Sequence, residues 1–397
     1  MKEIAEKTLF TLRKLLLVSL LIASLTQGLY PASVSEAADN NESDIKLQAY
    51  AETCIEYTDN VFRLDDSQVS MLEANTPEDA VSGRFRDMES VSDFIVSPEV
   101  GLGLDSDGPL GGKLSMVSWL RYNHYSENRE SSFPKVRIRL RNSLGEKGIL
   151  MLEGDFLFDF FKKNYLSGVN DENANGNIPR EERIYSPAIY DEYEGIIAYE
   201  QEIINNNDAR LSGLSIGPFA GHRIRRYNST FSNRDQDISW VGIEMDLEFI
   251  SRIDLEMIYL YEDVAAPGNR ELILFDETVS GTDINNDGEI KGNAQLFTVI
   301  DRSSSRHTIE INPSFKLTKD TRIFLGYEKR IAECASGNKL DIEHYNQEEY
   351  RRQIKSGIRH DFSNKWTAEA EYSRTNEEEE DGDYSENSFL VKIKYYF

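Results

Sequence analysis

The chain has 397 residues, and 44 lysines and arginines against 70 aspartates and glutamates give it a formal net charge of −26. Because binding to nucleic-acid phosphates needs a cationic surface, this charge argues against nucleic acid as a partner. No run of about 18 apolar residues follows the N-terminal region, which excludes helical membrane spans there. The 20 tyrosines, 19 phenylalanines and 3 tryptophans are too many for a disordered acidic chain, and they favour a β-barrel.

Residues 1–37 have the pattern of a secretory signal peptide. Basic residues within positions 2–14 precede an apolar core at positions 15–25, and small residues at positions 35 and 37 form a cleavage site. The apolar core is shorter than a membrane-spanning helix. We therefore expect export and removal of residues 1–37, which leaves residues 38–397 as a single domain.

The exported part of the chain repeatedly shows the period-two alternation of β-strands. In the segment 135–141 one face is aliphatic and the other cationic, and in 241–249 one face is apolar and the other nearly all acidic. An α-helix would spread both patterns around its circumference. Fourteen strands are predicted, at 46–58, 92–104, 113–125, 134–143, 147–160, 189–203, 209–219, 236–250, 253–262, 305–317, 321–333, 349–362, 365–375 and 386–397.

The connections between these segments alternate in length. Short links such as 251–252 and 363–364 alternate with longer ones such as 59–91, 161–188 and 263–304. Short periplasmic turns and long extracellular loops are typical of an outer-membrane barrel. We therefore predict an all-β fold, a closed antiparallel transmembrane β-barrel embedded in the outer-membrane lipid of a Gram-negative bacterium. The alternative, an exported soluble β-sandwich, does not fit strand faces that are so densely charged.

The last predicted strand has apolar residues at every second position from Phe389 to the terminal Phe397. This pattern resembles the C-terminal signature of bacterial outer-membrane barrels. The resemblance implies that Phe397 is an assembly signal and that the barrel-assembly machinery is a partner.

If the apolar face of each strand contacts lipid, the opposite face lines the interior. The basic candidates for the lumen are Lys135, Arg137, Arg139, Arg141, Arg351, Lys355 and Arg359. The acidic candidates are Glu153, Asp155, Glu244, Asp246, Glu248, Asp254 and Glu256. These charges predict a basic arc and an acidic arc around the circumference. Two interpretations stay open: a hydrated channel with a transverse field, or a closed interior in which neighbouring strands pair their charges.

The segment 171–182 matches the calcium-loop pattern D-x-[DN]-x-[DN]-G-x5-E at every specified position. The oxygen ligands would come from Asp171, Asn173, Asn175, Asn177 and Glu182. A second segment, 283–294, has only the first half of the pattern. Because Asn, Asp and Gly also favour ordinary exposed turns, Ca²⁺ in these extracellular loops is one of two open interpretations. No cofactor is expected to be required.

The segment 213–217 matches the string of a hydrolase nucleophile elbow, with Ser215 in the nucleophile's place and His222 nearby. That mechanism needs a strand–turn–helix context, whereas this segment lies in a predicted strand. We therefore expect no enzymatic activity.

The first predicted strand runs into residues 57–64, YTDNVFRL. This segment resembles the opening motif Y-x-D-N-[VL]-F-R-L of the β-barrel porin family associated with exopolysaccharide secretion. The resemblance implies an outer-membrane channel for saccharide or exopolysaccharide, with polysaccharide and periplasmic export components as partners. In the motif, Asp59 and Asn60 suit a strand end that enters a loop, and Phe62 suits an aromatic rim. The alternative function is a structural or adhesive barrel with a closed lumen and calcium-binding loops.

Overall fold

The computed structural model contains the fourteen predicted strands, and they close into one antiparallel barrel. It describes residues 45–74, 85–110, 112–169, 183–206, 209–249, 252–266, 269–274, 295–336, 347–378 and 383–397, all within the compact unit Ile45–Phe397. The barrel strands are β1 Lys46–Thr58, β2 Asp93–Asp107, β3 Lys113–Tyr125, β4 Phe133–Leu144, β5 Gly148–Val169, β6 Arg183–Asn205, β7 Leu211–Tyr227, β8 Gln236–Phe249, β9 Ile253–Ala265, β12 Ser304–Lys316, β13 Thr321–Cys334, β14 Glu348–Asp361, β15 Trp366–Glu378 and β16 Tyr384–Tyr396. The signal peptide predicted for residues 1–37 lies outside the described residues.

The described residues include further elements in the long connections. Strands β10 (Asn269–Leu274) and β11 (Gln295–Ile300) form a separate two-stranded sheet, and helix α1 covers Asp66–Ala74. Short 3-10 turns occupy Arg129–Ser131 and Ser229–Arg234. None of the helices among the described residues is long and apolar enough to cross a membrane.

The first and last strands form the seam of the barrel. Strand β1 pairs with β16 in antiparallel register, with Tyr50 opposite Tyr396. The backbone N–H of Phe397 donates a hydrogen bond of 3.0 Å to the carbonyl of Ala49. The sheet therefore has no free edge at this position.

The exterior of the wall is apolar. In β8, Val241 is 57% exposed, whereas its neighbour Trp240 on the inner face is 6% exposed. On the outer face of β2, Leu102 is likewise 67% exposed. Aromatic side chains cluster at both rims on this surface, for example Tyr57 with Phe94 at the long-loop rim, 5.0 Å apart, and Trp366 with Tyr395 at the short-turn rim, 4.6 Å apart.

An apolar band between two aromatic rims matches the hydrocarbon layer and interfaces of a bilayer. A closed barrel also satisfies every backbone group internally, which is the condition for strands to cross lipid. The protein is thus an outer-membrane protein of a Gram-negative bacterium.

Two strands are longer than the alternation predicts, because β-bulges interrupt it. The β5–β6 ladder has register shifts between Leu157 and Phe160 and at two later points. An extra residue moves every following side chain to the other face, so the period-two pattern stops although the strand continues. Strand β7 also continues past its predicted end at 219 to Tyr227.

Aromatic rings lie directly over glycines on the inner wall. A Cβ built on Gly242 would come within 2.3 Å of the Phe219 ring, and one on Gly101 within 2.1 Å of the Tyr50 ring. A ring placed over a strand glycine restores the packing that the missing side chain leaves open. These positions therefore require glycine for close approach.

We expect Gly242→Ala to lower the free energy of unfolding by about 1–3 kcal/mol, because the added methyl overlaps the Phe219 ring. The matched control is Gly195→Ala in β6, where no atom of the described residues lies within 4 Å of the new Cβ. The control is expected to stay within about 0.5 kcal/mol of the natural protein. Urea unfolding in phospholipid vesicles, followed by tryptophan fluorescence, measures both, and equal effects would contradict the packing argument.

Candidate functional site: the barrel lumen

The cross-strand register puts the predicted charged residues on the inner face. Arg137 lies opposite Asp155 and Arg139 opposite Glu153 on the β4–β5 ladder. Asp246 lies opposite Glu256 on the β8–β9 ladder. The remaining candidates follow the same strand face: Lys135, Arg141, Glu244, Glu248, Asp254, Arg351, Lys355 and Arg359.

The β4–β5 wall is densely ion-paired. Arg137 contacts Asp155 at 2.5 Å, Lys135 contacts the same carboxylate at 3.0 Å, and Arg139 pairs with Glu153. The guanidinium carbons of Arg137 and Arg139 also lie 5.3 and 5.6 Å from the Trp119 ring. Here the charges stabilise the wall in the way that the closed-interior interpretation expects.

The next ladder repeats this pairing through two arginines that sequence reasoning missed. Arg223 of β7 contacts Glu194 of β6 at 2.7 Å, and Arg225 contacts Glu192 at 2.6 Å. Both arginines lie beyond the predicted end of this strand. They interrupt the acidic arc, so the two signs are more mixed around the wall than the sequence pattern indicates. The sequence signal was weak, because the outward positions of this segment, His222, Ile224 and Arg226, are not uniformly apolar.

A different arrangement holds three carboxylates on β8 and β9. One carboxylate oxygen from each of Glu244, Asp246 and Glu256 lies within 4.8 Å of the other two. Asp246 accepts a hydrogen bond of 3.2 Å from Ser215 Oγ, and Glu256 accepts one of 2.7 Å from Asn312 Nδ2. Within the described part of the chain none of the three carboxylates forms an ion pair. This part of the wall is therefore locally negative.

Of these three, Asp246 and Glu256 border a cavity of about 960 Å³ inside the barrel. Its charged lining includes Asp246, Glu248, Asp254, Glu256, Lys316, Arg322, Lys355 and Arg359. The turn residues Thr318, Lys319 and Asp320 also line it, so the cavity reaches the short-turn rim. A cavity with this lining holds water and hydrophilic solutes rather than apolar ones.

At the opposite rim, residues 59–64 form a strap that β16 anchors. Asp59 accepts hydrogen bonds from the backbone N–H (2.6 Å) and Nδ2 (2.7 Å) of Asn387. The Asn60 amide accepts one from the Leu64 N–H (2.8 Å) and donates to the carbonyls of Leu64 (2.7 Å) and Ser385 (3.2 Å). These five bonds fix the conformation of the motif noted in the sequence.

Arg63 occupies the tip of the strap with a left-handed backbone, φ 53°. Its Nε lies 3.6 Å from Glu386 Oε2, and its guanidinium carbon lies 6.0 Å from the centre of the Tyr384 ring. Both partners are on β16. A non-glycine residue with positive φ persists only where its surroundings hold it, and here the anchoring bonds of Asn60 do so.

The strap lies over an apolar seat. Phe62 and Leu64 are buried with Met88 and Phe161, and Val61 packs on the cluster of Ile95, Tyr125 and Phe133. Phe62 is 8% exposed, so the expectation that it joins the aromatic rim is wrong. It is buried because the strap folds back onto the barrel instead of extending along the membrane interface.

The seat is part of a ribbon of rings that crosses five strands, β3 to β7. The ring centres of Tyr125, Phe133, Phe160, Tyr190 and Tyr227 follow one another at 6.5, 4.9, 5.1 and 5.1 Å. Arg225 lies 4.7 Å from the Tyr190 ring centre. The inner wall of β3 to β7 is therefore well packed near the long-loop rim, whereas the cavity lies near the short-turn rim.

The other motifs in the sequence do not contribute to this site. Both calcium-loop candidates, 171–182 and 283–294, lie outside the described residues, and Ca²⁺ there stays a prediction. Ser215 faces the lumen, while His222 lies on the other face of β7, with Nδ1 3.0 Å from Ser239 Oγ. The serine and histidine of the nucleophile-elbow string are thus on opposite sides of the wall.

Comparison with known proteins gives the architecture alone. No protein-family model and no curated protein matches the chain. Among solved structures, it is similar to the anion-selective porin from Comamonas acidovorans, with 11% identity, 90% of this chain and 100% of that chain covered, and a TM-score of 0.37. It is also similar to the outer membrane channel DcaP of Acinetobacter baumannii (9% identity, 91% and 100% covered, TM-score 0.44) and to in-vitro folded OmpT of Vibrio cholerae (9%, 91% and 100%, TM-score 0.42).

Proposed function

We propose that the protein is an outer-membrane channel that passes hydrophilic solutes through a charge-lined lumen. The observation that carries this proposal is the cavity of about 960 Å³ with its charged lining at the short-turn rim. A barrel with a purely structural role gains nothing from unpaired carboxylates such as Glu244 and Asp246 inside its wall, because a charge removed from water costs free energy. A hydrated pathway removes that cost.

We further propose that the solute is a saccharide or exopolysaccharide. The motif at 57–64 supports this assignment through its resemblance to the exopolysaccharide-associated porin family. The cavity also offers many hydrogen-bonding groups, including Asn312 and Ser314, which suit a polyhydroxylated chain. In this proposal the short-turn rim faces the periplasm, where export components deliver the polymer.

A second candidate function is a closed structural or adhesive barrel. The ion-paired wall of β4 to β7 and the packed strap favour it, because both stabilise the barrel without requiring a conducting lumen. In this case the cavity would be a blind vestibule.

Planar-bilayer recording of the purified mature chain separates the two candidates. We expect discrete current steps that are linear in voltage, together with swelling of liposomes in short neutral oligosaccharides that falls as the oligosaccharides lengthen. Folding of the inserted protein is verified by its heat-dependent mobility in gel electrophoresis. A correctly folded barrel that gives neither current steps nor swelling would contradict the channel and support the closed barrel.

A further inference from the structure

Three arginines face the lumen on consecutive strands in the long-loop half of the barrel. Arg330 of β13 lies opposite Arg351 of β14 and opposite Thr308 of β12. Arg306 is two residues before Thr308, on the same face of β12. The three guanidinium groups thus form a diagonal row across neighbouring strands, and we refer to them as the arginine row.

Two members of the row have carboxylate partners. Arg330 pairs with Glu377 of β15, and Arg351 Nε lies 3.7 Å from Glu328 Oε1. Arg306 differs from both. Within the described part of the chain it forms no ion pair within 4.0 Å, and its Nε is buried without a hydrogen-bond acceptor.

Both carboxylates and other arginines surround Arg306. Glu262 is its direct neighbour across the β9–β12 ladder and is itself buried, yet the two do not form an ion pair. Two further cations, Arg330 and Arg225, lie within electrostatic range, as do the carboxylates of Glu262 and Glu349. The Nε–H of Arg306 is therefore a buried donor without an acceptor, on a side chain that is itself only partly exposed to the lumen.

A buried donor without an acceptor is costly, and a buried charge without a partner more so. The guanidinium fork matches the two oxygens of a carboxylate and binds them through paired hydrogen bonds. An anionic group that enters the lumen would satisfy the donors of Arg306, with Arg330 and Arg351 adding attraction from the side.

We propose that the arginine row is an anion-binding site, centred on Arg306, for the carboxylate groups of an acidic saccharide that passes through the lumen. This inference rests on the proposed channel function and specifies its substrate class as uronic acid-containing chains. The negative patch of Glu244, Asp246 and Glu256 lies towards the other rim. An anion held by the row is repelled there, which keeps the binding weak enough for release.

The test measures binding of trigalacturonic acid to the full mature chain in detergent by isothermal titration calorimetry, with neutral maltotriose as the comparison ligand. We expect trigalacturonic acid to bind at least about tenfold more tightly than maltotriose, which corresponds to about 1.4 kcal/mol. Arg306→Gln is expected to remove this preference. Arg306→Lys retains the charge without the fork and is expected to restore part of it.

The matched control is Arg352→Gln, next to the row in sequence but on the exposed outer face of β14, where Arg352 and Glu378 are both 52% exposed. It is expected to bind trigalacturonic acid like the natural protein. Sodium acetate tests whether a free carboxylate suffices, and we expect it to compete only at much higher concentration than the trisaccharide.

The outcomes separate this inference from the channel itself. Equal binding of trigalacturonic acid by the natural protein and a folded Arg306→Gln variant would overturn the site, and so would equal binding of maltotriose. Current steps in bilayers together with such a result would leave the channel intact. A barrel that binds trigalacturonic acid through Arg306 but conducts no current would retain the site and contradict the channel.

Discussion

Replacing Asp155 by asparagine is expected to destabilise the folded barrel by about 3 kcal/mol, the lower end of the range for breaking a buried ion pair. The Asp155 side chain is 11% exposed and contacts both Arg137 and Lys135, so the change leaves Lys135 without a carboxylate partner and Arg137 with Glu153 alone, 3.4 Å away. Arg137 keeps 30% exposure, which lets water compensate in part. The size of the side chain is unchanged, so packing alone predicts little loss. Urea unfolding in phospholipid vesicles measures the difference.

An exposed ion pair on the outer face of β14 and β15 gives the control. Arg352 and Glu378 lie 3.8 Å apart, and each is 52% exposed. Exposed pairs contribute about 0–1 kcal/mol, so Glu378→Gln should hardly move the unfolding midpoint. If the two variants lost the same stability, the inner wall would be as well hydrated as the outer surface, and the description of β4 and β5 as an ion-paired wall would be wrong.

The second large effect is expected at the strap. Asn60→Ala removes three side-chain hydrogen bonds, which at about 1 kcal/mol each shift the balance between the seated and released strap by about 3 kcal/mol. That free energy corresponds to roughly a hundredfold change in the ratio of the two states. Because the seated strap packs on the clusters around Phe161 and Tyr125 at the long-loop rim, we expect its release to give a higher open probability and a larger mean current in planar bilayers.

Ser67→Ala is the control for this experiment, since Ser67 is an exposed residue in helix α1 of the same loop. Its current records should match those of the natural protein. Unchanged currents in a folded Asn60→Ala barrel would show that the strap does not limit conduction. A stability loss without a change in current would assign the motif to folding alone.

Strand positions were predictable from sequence wherever one face contacts lipid without interruption. Strands β1 and β3 begin and end at the predicted residues, because apolar side chains recur at alternate positions over most of each strand and no bulge interrupts them. The prediction for β5 ended too early because bulges after Leu157 change the face of every later residue. Periodicity carries no information about where an extra residue enters a ladder.

For the candidate site, the sequence predicts which face of a strand carries each residue, but not which residues contact one another. Alternation assigns Arg137 and Asp155 to the interior, but their contact depends on register, which pairs them across β4 and β5. The missing ion pair of Arg306 is even harder to predict from sequence. The register puts Glu262 directly opposite, so the absence of a pair depends on how the two side chains are placed. The strap was visible as a motif, although its inward fold depends on the long-range bond between Asn60 and Ser385.

The seam between β1 and β16 has a consequence for biogenesis. Strand β16 follows the other thirteen barrel strands in the chain, so β1 gains this hydrogen-bonding neighbour only after all of them have been exported. A chain that ends before β16 would leave the edges of β1 and β15 unpaired in lipid. Backbone groups without hydrogen-bond partners are energetically costly there. Chains that lack β16 are therefore expected not to insert into the membrane as closed barrels.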